Sequence, residues 1–367
     1  MAVAAALRWS QLTTQEVPLP EVTAYAIDSP TGSFHKTTVT RRDPGPTEIA
    51  FDIAFAGICH SDIHTAREEW GKSRFPLVPG HEIAGVVTSV GAEVTKFQVG
   101  DRVGVGCFVD SCGECDECRE GYQQFCTGSG MIGTYNSIGR DGEPTIGGYS
   151  TAFVVEQDYA LHIPESIPLE NAAPLLCAGI TTYSPLKHWG AGPGKRVGVV
   201  GMGGLGHMAV QIAAAMGAET IVLSRTLSKK DDGMKMGASG YYATQDDSTF
   251  KELRGTFDII VCTISDGLDL NQLLQLLAAQ GVLVNVGLPS TPNELHVGGL
   301  IGGNKVLAGS NIGGIPETQE MLDFCAEHDL GSWVEVIGGE DINQAYDDVV
   351  ASKARYRYVI DTSTFDA

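Results

Sequence analysis

Between Cys59 and His64 the chain places a thiol, two imidazoles (His60, His64), a hydroxyl (Ser61) and a carboxylate (Asp62), inside the stretch Gly-Ile-Cys-His-Ser-Asp-Ile-His that starts at Gly57. Metal ligand, proton donor and supporting acid can therefore share one place. Alone, such a cluster is as often incidental as catalytic. Two later segments complete a site: Gly80-His81-Glu82, and Cys177 within Pro-Leu-Leu-Cys-Ala-Gly. Cys59, His81 and Cys177 form a Cys2His set with Glu82 or water in fourth place, the donor pattern of a catalytic zinc rather than a closed structural one.

Four of the nine cysteines, Cys112, Cys115, Cys118 and Cys126, follow C-x2-C-x2-C-x7-C in a loop rich in Gly and Glu. Four thiolates so spaced can close a tetrahedron round one zinc and staple a lobe that has little apolar content of its own. An iron-sulfur cluster is the rival reading. The odd cysteine count and the absence of a secretory signal pattern argue against a disulfide framework. Cys107, Cys262 and Cys325 read as small buried hydrophobes, and His60, beside a ligating cysteine, has no assigned role.

These ligands need elements to hold them. From Tyr25 to about Ile163 short Val, Ile, Phe and Thr runs are broken by Gly, Pro and Asp, as in Ile83 to Val90, Asp101 to Val105 and Tyr149 to Val155. This reads as an all-β lobe with its ligands on loops. After Pro164 the pattern changes. A strand over Lys195 to Val200 leads into Gly201-Met202-Gly203-Gly204-Leu205-Gly206 and a helix from His207 to Met216. Between strand and helix, that glycine pattern is a dinucleotide fingerprint, its backbone open to a pyrophosphate at the helix N-terminus.

The next strand, Thr220 to Leu223, ends at Ser224-Arg225-Thr226, with Lys229 and Lys230 close behind. An NAD-selective site usually carries an acid there. Hydroxyls and cations favour the 2′-phosphate of NADP(H). Strands over Phe257 to Ile264, Val282 to Leu288 and Lys305 to Ser310, with a helix over Leu270 to Ala279, give the rhythm of a doubly wound parallel sheet. From about Ile315, helices over Glu317 to Glu327 and Ile342 to Ser352, a polar connection between them and a strand over Tyr356 to Asp361 are expected to return to the β lobe and leave a cleft between two domains.

At 367 residues and 43% hydrophobic the chain has enough material for two cores. No apolar run is long enough to cross a bilayer. A net charge of -21 argues against nucleic acid or an anionic membrane as partner.

Jointly, GICHSDIH, PLVPGHEIAGVV, VGDRVGVG, the four-cysteine loop, GGYS, APLLCAGITTYSPL, GMGGLGHMAVQIA, AGSNIGG, ETQEMLDFCAEH and RYRYVID make the chain from about Asp43 onward resemble a zinc-dependent medium-chain alcohol dehydrogenase of the cinnamyl alcohol dehydrogenase type, including its bacterial NADP-dependent relatives. The resemblance implies an α/β protein: a GroES-like β-rich catalytic domain, residues 1–177 and 316–367 with a structural zinc lobe at about 107–130, plus a Rossmann NADP-binding domain, residues 178–315. It implies two zinc ions per chain and a cytoplasmic enzyme, homodimeric or homotetrameric, that interconverts primary alcohols and aldehydes with NADP(H), mainly as a reductase.

By the same resemblance Cys59, His81 and Cys177 hold the catalytic zinc, and Glu82 binds it in the resting enzyme or stands just behind. Ser61 contacts the reacting oxygen, His64 relays its proton and Asp62 supports a ligand. Thr181, Gly201, Gly203, Gly204, Leu205, Gly206, Ser224, Arg225, Lys229, Ser310 and Asn311 line the cofactor. Arg225 replaces what is often a serine, and Thr127 to Gly133 is longer and richer in glycine than the matching plant segment. Two other readings share parts of this pattern: a zinc-free quinone reductase of the same fold, and a non-enzymatic NADPH-binding sensor or crystallin-like protein.

Overall fold

A computed structural model describes residues 20–265, 267, 269–289 and 291–366. The N-terminal extension, Met1 to Pro20, lies outside them apart from Pro20. The β-rich part is built on a seven-stranded sheet. Glu48–Gly57 pairs antiparallel with Ile83–Val90, which pairs with Arg102–Val105, and that strand with Leu161–His162. Ala152–Glu156 also pairs with Glu48–Gly57. The C-terminal strand Arg357–Asp361 returns to this sheet, Val359 opposite Gly57, with Val334–Ile337 parallel on its outer side. The expected return of the chain is thus a matter of backbone pairing. Alternation sets its face: Ile49, Phe51 and Ile53 are buried in one core with Ile83, Val103 and Phe153.

The second sheet has six parallel strands in the order Gly240–Ala243, Glu219–Ser224, Arg196–Val200, Phe257–Cys262, Leu277–Asn285, Val306–Gly309. Reading outward from Arg196–Val200, the chain winds one way and then the other, so a crevice opens beyond the carboxyl ends of Arg196–Val200 and Phe257–Cys262. Strands buried on both faces read as continuous apolar runs, as Val197 to Val200 and Ile259 to Cys262 do.

Several expectations need correction. The helix from Leu270 ends at Leu276, and Leu277 already pairs with Phe257 in the sheet, with a register shift one residue further on. Residues 277–279, expected as helix, therefore belong to a strand that runs to Asn285. The β lobe also contains a helix, His60–Ala66, closed at its start by Cys59 and Asp62. Within the polar connection lies Val334–Ile337, a short strand without an apolar run to reveal it. Ala178–His188 is a further helix that the sequence reading did not expect, with Pro185 inside it as a break in its helical pattern. Among the described residues no helix is long and apolar enough to cross a membrane.

Candidate active site

Antiparallel pairing brings the first ligand groups together. Ala56 faces Ile83, so Cys59, just past one strand, meets His81 and Glu82, just before the other. The approach is close: a Cβ on Gly57 would lie 2.1 Å from Glu82 Oε2. Only glycine fits there. Cys177 arrives between the short turn Ala173–Leu176 and the helix Ala178–His188, its Sγ 3.8 Å from that of Cys59. One donor atom from each of Cys59, His81, Glu82 and Cys177 lies within 4.8 Å of all the others, and all four residues are buried. Tetrahedral zinc with Zn–S near 2.3 Å places two sulfurs about 3.8 Å apart, so the donor set fits the ion.

Each of these groups is oriented from behind. The helix starting at His60 uses the Asp62 carboxylate to close its own first turn, accepting from Cys59 N at 2.9 Å. The same carboxylate accepts from Gly80 N at 3.2 Å, Tyr149 Oη at 3.2 Å and His81 Nδ1 at 3.0 Å. That last bond leaves Nε2 of His81 for the metal side. Burial works against the charged imidazole, but Asp62 raises His81 well above its ordinary value. Glu82, fully buried, accepts from Arg357 Nη2 at 2.5 and 2.6 Å. Burial pushes its carboxyl up to about 8, against the pull of Arg357. The Cys177 thiol draws Cys59 well below the usual thiol range, and Cys177 is pushed up by Cys107 and Cys59. Cys107, its Sγ 3.9 Å from Leu176 O next to Cys177, borders the site while also packing against the core.

Ser61 Oγ lies 3.5 Å from Cys59 Sγ. One turn further on, the His64 ring stacks between His60, at 4.9 Å, and Trp70, at 4.6 Å, and its Nδ1 bonds the half-exposed Glu69 carboxylate.

The second cysteine cluster also closes. Its sulfurs lie within 4.8 Å of one another, with Cys112 to Cys118 at 3.9 Å and Cys115 to Cys126 at 4.0 Å, again the edge lengths of a zinc tetrahedron. Backbone N–H groups of Cys112 and Cys115 point at Sγ of Cys126 and Cys112, both at 3.3 Å.

In the crevice of the parallel sheet the glycines divide their work. Gly201 turns the chain at φ +95°, Gly203 has nothing within 4 Å of where a Cβ would stand, and a Cβ on Gly206 would lie 2.0 Å from Gly201 O. The turn is tight, the approach open and the helix close, as a pyrophosphate site requires. Leu205 caps the helix Gly206–Ala215. Ser224 ends its strand, Arg225 follows exposed, and Lys229 reaches back so that Nζ bonds Met202 O at 2.9 Å. Ser310 and Asn311 follow the strand Val306–Gly309 at the same edge, and Ser310 N bonds Asn285 O at 3.2 Å. Thr181 is buried in the first turn of the helix after Cys177. No carboxylate occupies positions 224 to 230.

Residues 45–165 match the model of the alcohol dehydrogenase GroES-like domain, and residues 204–327 that of the zinc-binding dehydrogenase family. The chain is 62% identical to NADP-dependent alcohol dehydrogenase C 1 of Mycolicibacterium smegmatis, over 94% of this chain and 98% of that one. It superposes on a cinnamyl alcohol dehydrogenase of Sorghum bicolor with a TM-score of 0.91, at 41% identity over 94% and 98% of the two chains. A Helicobacter pylori enzyme described as CAD complexed with NADP(H) gives 0.88, at 45% identity over the same shares. The chain belongs to the zinc-dependent medium-chain alcohol dehydrogenases, of the cinnamyl alcohol dehydrogenase type.

Within that family's frame, three residues of this dehydrogenase escaped the sequence reading. Arg357 lies in RYRYVID, yet nothing in the run says that it meets Glu82, 275 residues earlier. Tyr149 lies in GGYS without a sign that it serves Asp62. Glu69 follows His64 at a spacing of five that reads as an ordinary surface pair.

Proposed function

We infer that this chain is an oxidoreductase interconverting primary alcohols and aldehydes with NADP(H), working mainly as an aldehyde reductase. The convergence of Cys59, His81, Glu82 and Cys177 on one point carries the reading. When bound, zinc supplies a Lewis acid for the carbonyl oxygen and the nicotinamide supplies or accepts the hydride.

The chain's own residues do the rest. Cys59, His81 and Cys177 fix the metal, with Asp62 keeping the proton on His81 Nδ1, and Arg357 holds Glu82 beside them. Ser61 Oγ would give a proton to the reacting oxygen, and His64, partnered by Glu69, would resupply it from solvent; the approach of Ser61 to Cys59 and the His64–Glu69 bond support these roles. Cys112, Cys115, Cys118 and Cys126 hold the second zinc. Gly201 to Gly206 receive the pyrophosphate, Ser224, Arg225 and Lys229 the 2′-phosphate, and Thr181, Ser310 and Asn311 line the remaining cofactor wall. The division into 1–177 with 316–367, and 178–315, is supported by the two sheets and by the return of Arg357–Asp361 to the first. Nine free cysteines suit a reducing cytoplasm. A second copy is expected on the free edge strand Val306–Gly309.

The test joins metal analysis to turnover. Two zinc ions per chain and aldehyde-dependent NADPH oxidation are expected of the wild type, with Cys59→Ala and His81→Ala each losing one zinc and at least about 1000-fold in kcat/KM. Undiminished turnover in either variant overturns the zinc-centred reading. One zinc per chain in the wild type points to the quinone reductase, and tight NADPH binding with no aldehyde turned over points to a sensor.

A further inference from the structure

Lys229 is the half-buried cation of the cofactor crevice, pinned by Met202 O at 2.9 Å and lying 4.9 Å from the centre of the Tyr356 ring. Its nearest acid in the helix that follows, on the same face, is Asp232, three positions on. From the N-cap position, that spacing lets the two side chains meet as an ion pair. Such a pair would cancel the charge a phosphate needs. Here Asp232 Oδ2 is engaged elsewhere: it accepts from Tyr356 Oη at 2.7 Å and faces Arg355 Nη1 at 3.5 Å. No Lys229–Asp232 ion pair forms among the described residues.

The Tyr356 side chain is fixed in place. It is buried, and its ring stacks on His207 at 5.2 Å with the planes 8° apart. His207 in turn bonds Ser332 Oγ at 3.0 Å and receives Trp333 N at 3.3 Å. The adjacent Arg357 serves Glu82 at the metal site, so neighbouring residues of one segment face the two halves of the active site.

We propose that Tyr356 sets the preference for a 2′-phosphorylated dinucleotide by drawing Asp232 away from Lys229. It is a positioning residue: the hydroxyl holds the acid, the ring face supports the ammonium, and Lys229 is left to meet the phosphate. Without the hydroxyl, Asp232 keeps only Arg355, at 3.5 Å, and can turn toward Lys229 and weaken its charge. Binding of NADH, which brings no phosphate there, is indifferent to that change.

The proposal rests on the NADP(H) reading above, and fluorescence titration of the zinc-loaded enzyme separates the two. The probes are NADPH, NADH, 2′,5′-ADP and 5′-AMP. Tyr356→Phe is expected to weaken NADPH and 2′,5′-ADP about 3- to 10-fold, the weight of one hydrogen bond, and to leave NADH and 5′-AMP within twofold. Tyr356→Phe combined with Asp232→Asn is expected to restore both phosphorylated ligands. Equal losses for NADPH and NADH, or no restoration in the double variant, overturn the proposal. Should Tyr356→Phe fail to fold, Asp232→Asn alone decides: affinity for 2′,5′-ADP within twofold of wild type upholds an acid already diverted, and a tenfold gain shows that Asp232 opposes the phosphate regardless of Tyr356. A wild type that binds 2′,5′-ADP no better than 5′-AMP sinks the cofactor reading instead.

Discussion

His207 is a residue whose burial has a measurable cost in acid. It is fully enclosed behind the glycine loop, and burial, with Arg357 adding to it, pushes its imidazole down to about 3. The unfolded chain binds a proton at this histidine near its ordinary value of about 6.5; the folded chain does not. Between these values the unfolded state holds more protons, so this residue adds nothing to the pH dependence above about 6.5 and lowers stability as pH falls below it, by up to about 1.4 kcal/mol per pH unit. Urea titrations of wild type and His207→Gln at pH 5 and pH 7.5 are expected to show a smaller loss on acidification in the variant. Equal losses exclude His207 as a contributor. The same scale shows what a sequence discloses about chemistry. The four loop cysteines were legible by their ligand spacing, and Cys59, His81 and Cys177, far apart in the chain, by residue type within their motifs. Arg357, Tyr149 and Glu69 were not, because an arginine, a tyrosine or a glutamate is common on any surface and only the fold gives these their partners.

The four-cysteine lobe is the element most dependent on its metal. Its short helix Asp116–Arg119 is too brief to persist alone, and acids crowd it at Glu114, Asp116, Glu117 and Glu120. The lobe also braces a neighbouring element. Gln123 Oε1 receives Ile315 N at 3.1 Å, and Gly121 O sits where a Cβ on Gly314 would come within 1.7 Å, so the lobe docks on the start of the helix Ile315–Glu327. Cys115→Ser is expected to lose one zinc equivalent, to be cut by protease between Cys112 and Cys126 well before the wild type, and to melt lower, since metal affinity here is folding free energy. An intact protease pattern with one zinc missing would show that the lobe holds without its ion. Elements with a strong period or a strong punctuation mark were legible to within about a residue, as Ile83–Val90 and the strand before the glycine loop were. Those decided by tertiary pairing were not. Leu277 to Ala279 have helix-forming side chains, and the partner strand overrides that preference.

At the scale of the whole molecule, the six-stranded sheet ends, among the described residues, on Val306–Gly309, which pairs on one side only, with Leu277–Asn285. The segments next to this strand and its partner in sequence carry exposed apolar groups: Ile301 at 74%, Val297 at 57% and Leu288 at 56% exposure, with Val306 itself at 37%. Soluble proteins protect a bare edge with charges, prolines or cover, and none of the strand's residues, Val-Leu-Ala-Gly, does so. A second copy related by a two-fold axis can place its own edge strand antiparallel to this one and bury both patches. Charge opposes the meeting, since each copy carries -21. Salt screens that repulsion and leaves the apolar contact intact, so association should tighten as ionic strength rises. Light scattering at micromolar concentration is expected to give twice the chain mass or a multiple of that dimer, and Ile301→Glu with Val297→Glu is expected to weaken association at least about tenfold, the equivalent of about 1.4 kcal/mol, with zinc content unchanged. A wild type that scatters as a monomer in both low and high salt would leave this edge bare and remove the dimer from the reading.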